Sequence, residues 1–459
     1  MLSDYVSILL VGLFALSGIV SRFTISKKSA YLTSQLILFV MIISSIFLFV
    51  EGINSYFINL FHIFPFSMLL STLIATLLIM INTLAYKYSK EYFEFLTIFS
   101  LSAAGMFIVV LSGSLISIVL GIELMAVSTA FLIVNENRKS IESAIKLFVM
   151  SIISVVSLTF GIALLLPYTP QLLLIAIPLN GGTNLSIILL ALGLMIAALS
   201  FESSLFPFNL WVPDVYQGAQ TYITAMIAGI NKKVAFIALI YILFILLIHL
   251  AKTSSLIIEV LAILTMFFGN IVALVQKNVK RMLAYSAISQ AGYIAIGIAA
   301  ATSYGIAASI FQIFTHSFMI IGAFSIVLWL ESKEMNTIDD YKGLAGMNKY
   351  AAFALTIFML SMIGVPPLMG FVGKFLLFSS AVFSNMPILA VLAIINSIIS
   401  IYYYMKVIFA MYEKRERRAL YLNKNIAFVV GLCLILIIFF GIYPWILINA
   451  SMIASSSIL

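Results

Sequence analysis

Charged residues are scarce in this chain. They make up 9% of it, against about 25% in an ordinary soluble domain. Cysteine is nearly absent: Cys433 stands alone inside an apolar run, which excludes an internal disulfide. With no CxxC or similar cluster, the chain offers no ligand set for zinc or an iron–sulfur centre. The three histidines, His62, His249 and His316, lie far apart and argue against a haem pair. Low-complexity tracts and linkers are missing, and the longest polar connection is Glu331–Lys349, so no soluble domain is expected. The first apolar segment has neither a basic leader nor an AxA-like cleavage site, and it is expected to be retained.

What is present is apolar residues, 64% of the total, in long runs from end to end. That composition predicts an all-α polytopic membrane protein. The runs divide into fourteen spans, near 5–22, 30–50, 63–86, 92–113, 115–135, 142–166, 184–212, 219–250, 255–276, 282–300, 303–331, 350–381, 386–412 and 424–446. Alternate loops carry Arg22, Lys27 and Lys28; Lys87 and Lys90; Arg138 and Lys139; Lys277, Lys280 and Arg281; Lys333, Lys342 and Lys349; and Lys414, Arg415, Arg417, Arg418 and Lys424. These loops hold three quarters of the 24 basic residues, and the opposite loops hold only Lys252. One missed or invented span would scramble that alternation. The basic side is expected to be cytoplasmic, with both termini on the outer side of the cell membrane. The net charge of +8 is therefore read as membrane topology and not as a sign of nucleic acid.

Proline occurs well inside only two spans, the seventh (Pro207) and the twelfth (Pro366 and Pro367). In lipid the backbone groups freed at proline need protein or water as partners. The two breaks lie five spans apart. Five is odd, so spans 4–8 and 9–13 would form two inverted five-helix repeats with the broken helix fourth in each. The expected divisions are 1–90, three N-terminal helices; 91–250 and 251–412, the two repeats; and 413–459, a C-terminal helix.

The basic residues left over, Lys146, Lys232, Lys233, Lys374 and Lys406, all fall within spans. Glu123 sits near the middle of the fifth span, where an ionised side chain costs roughly 3 kcal/mol on the milder scales. Its readings are a structural ion pair or a proton-exchanging acid. Glu202 precedes Pro207 by five residues, as polar packing or as an acid beside hydrated carbonyls. Lys232 lies some 20 Å into the eighth span at 1.5 Å per residue, too deep to snorkel. Lys233 points about 100° away from it around the helix. Lys374 follows the second break. Glu142 and Lys146 form either an ordinary i,i+4 pair or the mouth of a channel. His316, mid-span, can relay a proton or simply pack. Asp214 reads as a helix cap, and Glu259 and Lys406 as structural.

At these residues the chain resembles the antiporter-like subunits of respiratory complex I, most closely the N type. The resemblance rests on LGIELMAVSTAFLI, IESAIKLFVMSIISVVSLTFGIALL, FPFNLWVPDVYQGA, QKNVKRMLAYSAISQAGYIAIG and DDYKGLAGMN, followed by MIGVPPLMGFVGKFLLF, and covers roughly 90–412. It implies fourteen helices with helices seven and twelve broken. It also implies a buried axis in which Glu123, Lys232 and Lys374 match the family's helix-five acid, helix-eight lysine and helix-twelve lysine. The family's helix-seven lysine is replaced here by Glu202, a charge reversal that Lys233 would offset. Asn209 stands for the motif's histidine, Gln290 departs from the usual SHAGY, and Met319 stands where the other subunit types tend to carry lysine.

The resemblance further implies a proton-translocating subunit driven by redox chemistry elsewhere. Its proton pathway would use Glu123, Glu202, Lys232, Lys374, Lys233, His316, Lys146 and Glu142. The chain would hold no cofactor itself; quinone and iron–sulfur clusters belong to partner subunits. Its partners would be other membrane subunits and lipids. A subunit of a cation/proton antiporter or membrane-bound hydrogenase, and a non-pumping scaffold, are the competing readings.

Overall fold

The computed structural model describes residues 2–24, 26–169, 172–178, 184–415 and 418–458, the side chains of 2–5 and 21–24 excepted. The Arg22 side chain and Arg417, both counted among the basic loops, lie outside the described residues. Helices occupy all fourteen expected spans. Among the described residues, twelve helices are long and apolar enough to cross a membrane. The other two spans are the first helix and the broken twelfth.

The chain forms two compact units. The first comprises Met1–Ser204, Ile230–Ser254 and Met452–Leu459. It contains α1 (Leu2–Thr24), α2 (Lys27–Val50), a hairpin of β1 (Ser55–Phe57) and β2 (Phe61–Ile63), α3 (Pro65–Tyr88), α4 (Tyr92–Val110), α5 (Leu115–Ile133), α6 (Arg138–Leu165) and α7 (Leu185–Ser203). The hairpin pairs Tyr56 with His62 in antiparallel register. The α4–α5 contact is made by glycine: a β-carbon at Gly105 would meet the backbone of Met125 and Gly121, and one at Gly121 would meet the carbonyl of Gly105. In lipid, where apolar burial gives no net drive, such close backbone approach supplies packing. Polar side chains add hydrogen bonds between helices, as where Asn82 of α3 donates to Ser34 of α2 at 2.9 Å and accepts from Tyr92 of α4 at 2.8 Å.

The second unit comprises Leu205–Gly229 and Ser255–Ser451. After α8 (Val212–Gly218) and α9 (Thr221–Met226), and beyond α10 (Lys232–Tyr241) of the first unit, come α11 (Ala251–Leu274, its first residues to Ser254 in the first unit), α12 (Val279–Ala299), α13 (Ser303–Glu331), α14 (Leu344–Met347), α15 (Lys349–Ile363), α16 (Met369–Phe383), α17 (Pro387–Tyr412), α18 (Lys424–Ile442) and α19 (Trp445–Ser456, its residues from Met452 in the first unit). The central stretches of α12 and α13 are completely buried, as befits helices in the interior of a bundle, and the polar side chains they carry, Ser286 and Gln290 on α12 and Gln312 and His316 on α13, are buried with them.

Four features differ from the sequence expectations. The eighth span is not one regular helix: π-turns at Ile227–Asn231 and Ile242–Leu246 flank α10. Lys280, assigned to a loop, lies within α12 and is 4% exposed. Asp214 does not cap α8; it lies in its first turn and pairs with Arg281 at 3.0 Å. The short α19 beyond the last span was not anticipated either.

Candidate functional site

Both proline breaks are real interruptions. At the first, α7 ends on Ser204 in the left-handed region (φ 67°, ψ 37°), the Phe206–Pro207 bond is cis, and α8 resumes at Val212. At the second, α15 ends on Gly364 with φ +98°, a conformation that favours glycine. The Pro366–Pro367 bond is cis there, and α16 begins at Met369. Gly370 is held against α15, its amide donating to Ser361 Oγ at 3.1 Å.

The break determines what Lys374 touches. Proline at 366 and 367 removes the amides that would have engaged the last carbonyls of α15. One of those carbonyls, that of Ile363, accepts from Lys374 Nζ at 2.9 Å. The ammonium also donates to Ser397 Oγ on α17 at 2.8 Å and lies 4.7 Å from the Tyr293 ring centroid. A cation over an aromatic face gains further electrostatic stabilisation. Lys374 is 4% exposed and has no carboxylate within ion-pair distance among the described residues. Neutral oxygens and a ring therefore hold it, an arrangement that also suits a neutral amine.

In the first unit, Glu202 lies in the last turn of α7, 7% exposed, beside the hydroxyls of Ser151 and Ser154 on α6. Glu123 on α5 is within electrostatic range of it, so two acids share this unit. Glu123 Oε2 and Glu202 Oε1 are buried without a protein hydrogen-bond partner. Lys232 and Lys233 open α10 and are 1% and 2% exposed. The π-turn before them ends at Asn231, whose amide donates to Thr129 Oγ1 on α5 at 2.8 Å. Thr129 in turn meets Ser102 of α4 at 3.1 Å. π-turns recur at functional sites because they free carbonyls and shift the register of the next helical turns.

Not all the expected residues come together. Glu142 and Lys146 pair at 2.7 Å, but on an exposed face of α6, with side chains 61% and 40% accessible. His316 is fully buried on α13, in the second unit with Lys374. Sequence reasoning missed the Lys280–Glu331 pair, 3.0 Å apart, in which Lys280 also donates to the Ala219 carbonyl at 2.9 Å and Thr221 donates to Glu331. A small shift of the span boundary would have exposed it, since Lys280 lies only two residues before the expected start of the span. Also missed was a string of buried tyrosines and amides on α11, α12 and α17, because such residues read as ordinary packing in sequence. Among the described residues, no group of three His, Cys, Asp or Glu side chains could hold a metal.

Two broken helices set in a bundle of apolar ones, each beside a buried ionisable side chain, define an antiporter-like membrane protein. Residues 112–400 match the family described as NADH:quinone oxidoreductase/Mrp antiporter, TM, and the chain belongs to it. It is 34% identical over 413 residues to NADH-quinone oxidoreductase subunit N of Desulfitobacterium hafniense, covering 84% of this chain and 83% of the relative. It is 35% identical over 355 residues to F(420)H(2) dehydrogenase subunit N of Methanosarcina mazei, covering 74% and 72%. Its fold is that of a chain in the Mrp complex from Dietzia sp., with a TM-score of 0.92 at 18% identity over 100% of this chain and 98% of the other.

Proposed function

We propose that this chain is the N-type membrane subunit of a complex I-like quinone oxidoreductase and moves protons across the cell membrane. Electron transfer takes place in partner subunits, which hold the iron–sulfur clusters and bind quinone. Energy reaches this chain through neighbouring membrane subunits. The names of its relatives, N subunits of a quinone oxidoreductase and of an F(420)H(2) dehydrogenase, support that reading. Moving one charge against 100 mV costs about 2.3 kcal/mol, a scale that displacement of a few buried charges supplies. The path runs through Glu123, Glu202, Lys232, Lys233 and Lys374, with His316 as a relay and the exposed Glu142–Lys146 pair near the cytoplasmic end of α6. The two acids of the first unit share a proton, and Lys232 and Lys233 decide which carries it. The repeats 91–250 and 251–412 are inverted copies, and both termini face outward.

The observation that carries this reading is a buried lysine whose ammonium is held by the carbonyl that a proline break sets free. Lys374→Met keeps the length and packing of the side chain but removes the exchangeable proton. In the assembled complex, reconstituted into vesicles, it should lower the proton-to-electron ratio while assembly and quinone reduction persist. An unchanged ratio would remove Lys374 from the path and leave the chain a scaffold.

A further inference from the structure

Lys374 is the end of a longer polar string within the second unit. Ser397, which accepts from the ammonium, itself donates to the Ile363 carbonyl at 3.1 Å. The Tyr293 hydroxyl lies beside Ser397 and Asn270. Asn270, on α11, is pinned by its amide, which donates to the Asn396 carbonyl at 3.0 Å and to its side-chain oxygen at 3.2 Å. Its own Oδ1 accepts from Tyr403 at 2.9 Å. The Tyr403 ring is 4.3 Å from that of Tyr404, whose hydroxyl is bonded to Ser286 on α12. Asn270, Ser286, Tyr293, Asn396, Tyr403 and Tyr404 are all at most 1% exposed.

The string has a direction. Ser397 and Tyr404 are two helical turns apart on α17, or about 10 Å. Tyr404 is the one nearer the end of α17 that leads to Lys414 and Arg415. Ser286 lies two turns inside α12 from its start next to Lys277. The polar groups thus lead from Lys374 towards the basic face.

Interhelical hydrogen bonds in membranes are individually weak, so glue alone is a poor account of six such side chains ending on a lysine. A hydroxyl differs from an amide in that it both donates and accepts, and can take a proton on one lone pair as it releases its own. Asn270 cannot do this. Its side-chain oxygen holds the Tyr403 hydroxyl, and the Tyr293 hydroxyl, buried without a protein hydrogen-bond partner, lies beside the same side chain, so that one water can link the two.

We propose that Ser286, Tyr404, Tyr403, Tyr293 and Ser397 form a proton-entry chain that loads Lys374 from the basic face, with Asn270 as its positioning residue. A proton taken up at Ser286 displaces that hydroxyl's own proton to Tyr404. The displacement repeats through Tyr403 and, across one water, Tyr293; Ser397, beside the Tyr293 hydroxyl and bonded to Lys374 Nζ, hands on the last proton, and the neutral amine takes it and becomes ammonium. Each hydroxyl ends as it began, and one positive charge has moved inward. This inference rests on the proton-translocating reading of the chain.

Tyr404→Phe and Ser286→Ala, each removing one oxygen, test it in the assembled complex in vesicles, beside Lys374→Met. Both should lower the proton-to-electron ratio to the Lys374→Met level while quinone reduction persists. Tyr404→Phe combined with Lys374→Met should fall no further than Lys374→Met alone, because the two lie on one path. Asn82→Leu, which cuts a comparable buried bond away from the string, should leave the ratio unchanged. A lowered ratio in Lys374→Met with normal ratios in Tyr404→Phe and Ser286→Ala overturns the entry chain and leaves the function standing. Normal ratios in all three overturn the proton-translocating reading itself. Should Tyr404→Phe fail to assemble, Ser286→Ala decides.

Discussion

Glu331→Gln should destabilise the second unit more than Lys280→Met, although both cut the same ion pair. The Lys280 side chain is 5% exposed and that of Glu331 35%, with 3.0 Å between them. The substitution at 331 keeps shape and can keep the bond from Thr221, but it strands an ammonium held otherwise by the Ala219 carbonyl. Removing one partner of a buried pair costs about 3–5 kcal/mol. Solvent at the partly exposed carboxylate discounts this to about 2–3 kcal/mol. Lys280→Met removes the buried charge instead, and with it a cation in the first turn of α12, where the helix dipole disfavours one. The carboxylate left behind reaches water and keeps Thr221, so the cost should be about 1 kcal/mol. The gap of roughly 1–2 kcal/mol is about tenfold in the unfolding equilibrium, resolvable by detergent titration in mixed micelles with the double variant closing the cycle. A costlier Lys280→Met, or two variants indistinguishable from the parent, would refute the reasoning.

Four further outcomes are expected. Glu123→Gln, which cannot ionise, should reduce pumping more than Glu123→Asp, measured as proton-to-electron ratio in vesicles; equal mild effects would make the acid structural. Glu202→Gln should lower the ratio, whereas Glu202→Lys with Lys233→Ala, which moves the extra cation to the family's helix-seven position, should retain part of it; normal pumping by Glu202→Gln would end the compensation argument. Gly370→Ala places a methyl against the Ser361 carbonyl and should cost about 2 kcal/mol or more, read as lost assembly; a well-assembled variant would mean that the second break adjusts freely. Burial lowers the pKa of His62, in the hairpin outside the spans, to about 4. It stacks on Tyr56 and Phe64 with ring centroids 4.0 and 4.1 Å away. Its folded pKa lies below the unfolded value, so the unfolded chain binds the extra proton: the hairpin should hold above about pH 6.5 and weaken as pH falls towards 4. Hydrogen exchange of the hairpin amides should show this, and the pH dependence should vanish in His62→Phe.

The sequence alone determined the spans and the places where two of them break. Both follow from local chemistry. A lipid core admits only long apolar helices, basic residues stay on one side, and proline cannot complete a helix. Glu123, Lys232 and Lys374 were legible for the same reason, since a charge deep in an apolar run is costly wherever the chain folds. What only the tertiary structure decided is which groups meet. Lys374 rests on a carbonyl and a serine, Lys280 is buried against Glu331, and Glu142–Lys146 stays on an outer face. The π-turn ahead of Lys232 leaves no trace in composition, because one added backbone residue per turn changes no residue type. Nor does the string through Asn270, Tyr403 and Tyr404: its members come from separate helices, and each by itself is ordinary packing. Their alignment exists only once α11, α12 and α17 are set side by side.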